Sequence, residues 1–326
     1  MAKNTANFLE LKNAHPRDAR ITFDEEHHLY TVDGEPYTKS VSGVVHDSFP
    51  SFDAPEIIER YFTSWSENKQ SPYHNFIKYC RYRMHLDDAT IKNELANVWR
   101  VFGEERADYG TSVHLSAELF LNNAERKDES QEYSQFMYWY KEMRPKTWEQ
   151  YRTEWSVFCD DCGVAGQIDS LWRDVQTGEF IMVDWKCVET LPRFDKFGKK
   201  GLPPFEGLPN TNFGHYTVQQ NAYAWILRRH YGIDVKRMLL LQVHHTLTLP
   251  EVHELRDIRS SVETCMLRRR DILASADLVL DHGKPSKKGR ADVTGLILAN
   301  ERRRSYYLAM AAAVDKENAA LRRSIA

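Results

Sequence analysis

The spacing of apolar residues changes along the chain and predicts where helices and strands lie. Between residues 54 and 150 the apolar residues are widely spaced and β-branched runs are few, which predicts a mostly helical region. Three apolar stretches separated by turn residues then predict consecutive strands at Tyr151–Phe158, Val164–Arg173 and Glu179–Cys187. The change from one pattern to the other marks the start of a sheet.

Shorter elements flank this central region. Near the N-terminus, Arg20–Phe23 and Leu29–Val32 predict two strands, and the Asp33-Gly34 turn after them favours a β-hairpin. On the C-terminal side, the patterns predict a helix over 215–231 that ends at Gly232, a strand over Lys236–His245 and helices over 251–275 and 294–323.

The order of these elements predicts an α/β core in which helices pack on a mixed sheet. We divide the chain into four regions. They are an N-terminal β-hairpin arm (1–50), a helical lobe (51–109), a core (110–283), and a basic linker with a C-terminal helix (284–326).

Composition narrows the class of protein. Of the 326 residues, 42% are apolar and 28% are charged, and no apolar run is long enough to span a membrane. The N-terminus lacks the apolar stretch of a secretory signal, so we expect an intracellular protein of the cytoplasm or nucleus. Five cysteines, an odd and sparse set, predict reduced thiols. The net charge of −3 neither indicates nor excludes a polyanionic partner.

Two acidic residues on adjacent predicted strands suggest chemistry. Gly166-Gln-Ile-Asp169 is followed by Asp184-Trp-Lys186 at the end of an apolar strand. Two neighbouring carboxylates repel each other unless a cation lies between them, and hard oxygen ligands suit Mg²⁺ or Mn²⁺. Asp184 and Lys186 leave the same face of the strand, so an ammonium would lie beside the cation. An Asp-x-Lys pair alone is common in surface hairpins, but this one follows a buried strand.

Two predicted helices carry further candidates. His114 lies on a helix before the strands, and imidazole is a common metal ligand. Gln219 and Tyr223 lie one turn apart on the helix after the strands. Taken singly, each of these residues is more often structural than functional.

In order and spacing, these residues resemble the PD-(D/E)XK nuclease superfamily. The matching pattern is Gly110-x₃-His114, Glu154, Gly166-x₂-Asp169, Asp184-x-Lys186 and Gln219-x₃-Tyr223. The Gln-x₃-Tyr helix and the His-bearing helix are similar to the RecB-type exonuclease branch, which includes the mitochondrial genome maintenance exonucleases. The resemblance covers about residues 105–250, and a lead-in around residue 30 extends it.

The resemblance implies a fold, a reaction and a role for each residue. The fold would be a restriction-endonuclease-like core, and the reaction would be metal-dependent hydrolysis of DNA in replication, repair or recombination. His114, Asp169, Asp184 and the Trp185 carbonyl would hold Mg²⁺ or Mn²⁺. Lys186 would position or activate the attacking water, and Glu154 would support Lys186 or contact a metal ligand. Gln219 and Tyr223 would hold the site and contact the substrate backbone.

Two other metal groups are not expected. An iron–sulfur cluster in relatives requires three cysteines downstream of the matching segment over 105–250, and only Cys265 follows that segment here. Cys159-x₂-Cys162 has the spacing of a half zinc site, but no second pair lies nearby, and Asp160 and Asp161 between the two cysteines favour a turn.

The segment over 190–213 is long, basic and aromatic. Arg193, Lys196 and Lys199 alternate with phenylalanines, a composition typical of single-strand nucleic-acid binding and also of a solvated surface loop. Arg228, beyond Tyr223, is another candidate phosphate contact.

Several functions remain open at this point. The sequence favours an exonuclease acting on single-stranded or free DNA ends. The alternatives are an endonuclease of DNA or RNA with cap-snatching-like chemistry, or a nucleic-acid-binding subunit that does not cut. Protein partners in a repair or recombination complex are compatible with all three, and no membrane partner is expected.

Overall fold

The computed structural model describes residues 8–25, 27–37, 39–124 and 126–277. They form two compact units, of which the larger contains residues 8–51 and 108–277 and the smaller contains residues 52–107. The predicted basic linker and last helix, over 284–326, lie outside the described residues.

Helices and strands are numbered in chain order. The helices are α1 (Phe8–Lys12), α2 (Val41–Asp47), α3 (Ala54–Glu67), α4 (His74–Tyr82), α5 (Asp88–Leu121), α6 (Gln131–Tyr138), α7 (Asn212–Ile226) and α8 (Arg259–Asp277). The strands are β1 (Ile21–Asp24), β2 (Leu29–Val32), β3 (Glu35–Pro36), β4 (Lys39–Ser40), β5 (Trp148–Cys159), β6 (Val164–Asp174), β7 (Phe180–Cys187), β8 (Val235–Val243) and β9 (Glu251–Glu254). π-helical turns follow α6 and α7, and Gly232 closes the second with a left-handed backbone, as its position predicts.

A mixed sheet of six strands forms the centre of the larger unit, which confirms the expected α/β class. The long strands β5 and β6 pair antiparallel along their whole length. The other edge of β6 is divided between β4, which pairs with Val164 and Ala165, and β7, which pairs with residues 170–173. Strand β8 continues the sheet parallel to β7, and β9 forms its edge. Asp169 therefore lies where β6 separates from β7.

The two faces of this sheet are covered by different helices because side chains alternate along each strand. Met182 of β7 packs in a core shared with Val218 and Ala222 of α7. Trp185, three residues later and therefore on the other face of β7, packs in the opposite core, which contains Ala117 of α5 and residues of α6. Asp184 and Lys186 have the same parity as Met182, so they face α7.

One predicted helix is wrong at its start. Residues 251–275 do not form one helix, because Glu251–Glu254 pair with β8 as the edge strand β9. Helix α8 begins only at Arg259. The free edge of β8 offers backbone partners that outweigh the local helical pattern of a short polar segment.

The smaller unit is helical. Helices α3 and α4 and the first part of α5 enclose a separate apolar core that contains Ile58, Phe62, Ile77, Ile91 and Leu95. The Asp53 side chain accepts a hydrogen bond from the Glu56 backbone and so begins α3.

The cysteines differ from the expectation of reduced thiols. Cys159 and Cys162 form a disulfide across the turn between β5 and β6, while Cys80, Cys187 and Cys265 are free. Both paired residues are buried, and the tight turn brings their side chains together. Among the described residues, no helix is both long and apolar enough to cross a membrane.

Candidate metal and phosphodiester site

Two carboxylates meet across the β5–β6 hairpin. Thr153 pairs with Ser170 and Trp155 pairs with Ile168, so Glu154 lies opposite Asp169. Glu154 also has a left-handed backbone, with φ of 43°, although it is not a glycine. Such a conformation costs about 1–3 kcal/mol and is found preferentially at functional sites.

His114 of α5 completes this group. Its Nε2 lies 2.8 Å from the Trp185 carbonyl oxygen, which can only accept a hydrogen bond, so Nε2 carries the proton. Its Nδ1 then has a free lone pair and lies 3.5 Å from Asp169 Oδ2 and 4.0 Å from Glu154 Oε1. The ligand atoms of His114, Glu154 and Asp169 all lie within 4.8 Å of one another.

Lys186 lies beside this group, between two carboxylates. Its Nζ is 2.9 Å from Asp184 Oδ2 and 3.8 Å from Asp169 Oδ2. The other oxygen of Asp184 accepts a hydrogen bond of 2.8 Å from Gln220 of α7. Asp184 is only 1% exposed, so these two contacts replace the water that its carboxylate has lost.

Burial and neighbouring charges shift the pKa values of Asp184, Asp169, His114 and Lys186. Burial and the neighbouring Asp169 raise the pKa of Asp184 to about 7, and burial also raises the pKa of Asp169. Burial and the Lys186 ammonium lower the pKa of His114 to about 4, which keeps the imidazole neutral near pH 7. Burial disfavours the charge on Lys186, but Asp184 and Asp169 outweigh burial and raise its pKa.

These residues fit a divalent cation. The donor set is two carboxylates and one neutral imidazole, which is compatible with a divalent metal ion. Asp169 Oδ2 is buried without a hydrogen-bond donor, as expected for an oxygen that a cation would satisfy. The cluster could therefore bind a metal ion, with Glu154 as a ligand instead of a residue that only supports Lys186.

Two predicted residues occupy other roles. The Trp185 carbonyl is a predicted metal ligand, but here it accepts the hydrogen bond that fixes the His114 tautomer. Gln219 is predicted to hold the site, but its neighbour Gln220 bonds Asp184, and Gln219 Oε1 is buried without a partner. Helical spacing alone could not separate the two glutamines. Gln219 lies four residues before Tyr223, and Gln220 lies four residues after Tyr216, so each has a tyrosine one turn away.

Two tyrosines of α7 border the site. Lys186 Nζ lies 5.0 Å from the centre of the Tyr216 ring, a contact that the sequence analysis missed. Tyr223 is buried against Gly166, where an added Cβ would lie 2.7 Å from the Tyr223 ring. Glycine at position 166 therefore lets α7 approach the sheet closely enough to place Gln220 on Asp184.

The predicted substrate contacts are divided between two places. Arg193, Lys196 and Lys199 are exposed on the segment that joins β7 to α7 and so begins and ends beside the site. Arg228 is exposed at the opposite end of α7, about 18 Å along the helix from Tyr216, and lines a cleft with Asp257. Arg228 is about 8 Å along the helix from Tyr223, and its contact with a substrate stays a prediction.

Comparisons with known proteins add little. No family model matches this chain, and no curated protein does. Among solved structures, a protein named SSO0001 is similar at 14% identity with a TM-score of 0.30, covering 85% of this chain and 88% of that one. A Eubacterium rectale protein named "Putative exonuclease" is similar at 12% identity with a TM-score of 0.29, covering 78% and 91%. Likenesses at this level do not establish a shared function.

Proposed function

We propose that this protein is a metal-dependent nuclease that hydrolyses phosphodiester bonds of DNA, and that its core is of the restriction-endonuclease-like type. The observation that carries the proposal is the buried convergence of His114, Glu154 and Asp169 beside the Asp184–Lys186 pair. Three carboxylates this close together in a largely buried site repel one another, and a bound cation would remove that cost.

Each side chain has a defined task in this proposal. His114, Glu154 and Asp169 hold Mg²⁺ or Mn²⁺, with Asp184 available beside them, and the cation would supply Lewis-acid stabilisation of charge on the phosphate. Lys186 orients the attacking water and balances the charge that develops on the phosphate oxygens. Gln220 fixes the carboxylate of Asp184, which in turn fixes the position of Lys186.

The preference for free or single-stranded DNA ends is supported by the segment between β7 and α7. Phe194 and Phe197 are 84% and 71% exposed there, a costly arrangement in water unless the rings stack on bases. Basic residues on the same segment suit a phosphate backbone. If a strand enters the site from this side by its free end, nucleotides would be removed from that end, which is exonuclease activity.

The experiment is a cleavage assay with labelled linear single strands, the same sequence closed into a circle, duplexes and RNA. We expect cleavage of linear DNA with Mg²⁺ or Mn²⁺, none with excess EDTA, and little on the circle. Equal rates on linear and circular strands would favour an endonuclease, and faster cleavage of RNA would favour a ribonuclease. Binding without cleavage under all these conditions would leave only the nucleic-acid-binding role.

A further inference from the structure

The guanidinium of Arg193 is held in place by two side chains and keeps its charge available. Its central carbon lies 4.1 Å from the centre of the Phe213 ring. One of its NH₂ groups lies 3.3 Å from His253 Nδ1. Among the described residues it forms no ion pair with a carboxylate, unlike Arg229, which pairs with Asp161.

The orientation of His253 is determined by a chain of hydrogen bonds. Gln242, which is 3% exposed, donates its amide to the carbonyls of Val188 and Glu189, directly after β7. Its Oε1 must then be the acceptor from His253 Nε2, at 2.9 Å. The lone pair of Nδ1 therefore accepts a hydrogen bond from Arg193. Through His253 and Gln242, Arg193 is connected to the backbone that directly follows β7, the strand that carries Lys186.

Arg193 and Lys186 lie along the same face of α7. Lys186 lies over Tyr216, and Arg193 lies over Phe213, one helical turn earlier. Residues three apart on a helix are neighbours separated by about 4.5 Å along the axis. The phosphate next to the attacked one belongs to the adjacent nucleotide, so a strand that follows this face of α7 from Lys186 would bring that phosphate to Arg193.

We propose that Arg193 binds the phosphate next to the one attacked beside Lys186, and that His253 is a positioning residue that holds Arg193 for this contact. The inference rests on the proposed nuclease function and specifies its substrate as a polynucleotide strand with at least two consecutive phosphates. Arginine suits this task because its planar donors bind two phosphate oxygens at once.

The test compares substrates with one and with several phosphates. Arg193→Gln should lower kcat/KM on a single-stranded oligonucleotide by about 10- to 100-fold, and leave cleavage of a dinucleoside monophosphate unchanged, because that substrate has no second phosphate. Arg193→Lys should fall between wild type and Arg193→Gln. His253→Ala should lower kcat/KM on the oligonucleotide by a smaller factor, and should have no further effect when Arg193 is already Gln.

Arg173→Gln is the matched control, since Arg173 is also exposed and also lies over a phenylalanine, Phe180, but at the opposite end of β7. Equal losses on both substrates, or additive effects of the Arg193 and His253 changes, would overturn the proposal. The salt dependence of oligonucleotide affinity, measured in EDTA so that nothing is cut, tests the Arg193 contact independently of the nuclease proposal. Arg193→Gln should reduce the salt slope by about 1 even if nothing is cut, and an unchanged slope would overturn the Arg193 contact.

Discussion

The buried site and the segment between β7 and α7 use charge in opposite ways. At the site, Asp184 is buried and Lys186 is largely buried, and the ammonium of Lys186 is paired with the carboxylates of Asp184 and Asp169. On the segment, Lys196 and Lys199 are exposed and are solvated whether or not a ligand is present. Removing a charge at the site should therefore have large consequences, and removing Lys196 or Lys199 should have small ones.

This difference separates chemistry from binding. Removing the partner of a buried polar group costs several times more free energy than removing the partner of an exposed one, because no water replaces the buried partner. The buried site can hold reacting groups in fixed positions, while the exposed segment contributes affinity that salt screens. Four variants test this comparison.

The largest effect is expected for Asp184→Ala. It removes the partner of Lys186 and of Gln220, so we expect cleavage in Mg²⁺ to fall by at least about 100-fold. The measurement is the single-turnover rate on a labelled single strand, with circular dichroism to show that the fold is retained. A folded variant that cuts at the wild-type rate would remove Asp184 from the chemistry.

Lys186→Ala should separate turnover from affinity. We expect kcat to fall by about 100- to 1,000-fold, while the Kd for DNA changes only slightly, because the ammonium acts on the reacting phosphate and not on the rest of the strand. Rates and equilibrium binding are measured on the same oligonucleotide. Equal losses in both would make Lys186 a substrate anchor.

Gly166→Ala tests the close approach of α7 to the sheet. The new Cβ would lie 2.7 Å from the Tyr223 ring, so we expect a loss of about 1–3 kcal/mol in the free energy of unfolding, together with lower activity. Denaturant unfolding measures the first quantity. Gly103→Ala is the control, since its Cβ would meet no atom within 4 Å, and it should stabilise α5 slightly.

The smallest effect on chemistry is expected for the double change Phe194→Ala and Phe197→Ala. Both rings are exposed, so stability should hardly change. Single-strand binding should weaken by about 1–3 kcal/mol for each base that stacks, with no change in metal affinity. Fluorescence anisotropy with a labelled strand measures the loss, and unchanged affinity would exclude base stacking on this segment.

The sequence predicts the strands better than the contacts between elements. The β5, β6 and β7 strands follow from local apolar stretches separated by turn residues, and their predicted bounds differ from the observed ones by three residues at most. The strand β9 was missed because it exists only through pairing with β8. Local pattern contains no information on such a partner.

The same limit applies to the site. Motif spacing identified His114, Glu154, Asp169, Asp184 and Lys186, which the structure brings together. It could not choose between Gln219 and Gln220, since the rotation of α7 is set by packing around Gly166. Nor could it find His253 or Phe213, whose roles depend on the path of the chain beyond β7.

Direct measurement of Mn²⁺ binding tests whether the cluster of His114, Glu154 and Asp169 holds a divalent cation. Isothermal titration calorimetry with Mn²⁺ compares wild type with Asp169→Asn, since aspartate and asparagine have nearly the same size and shape but differ in charge. We expect saturable binding by wild type and a loss of at least about tenfold in affinity for Asp169→Asn. Equal binding by the two proteins, or none by wild type, would contradict this expectation.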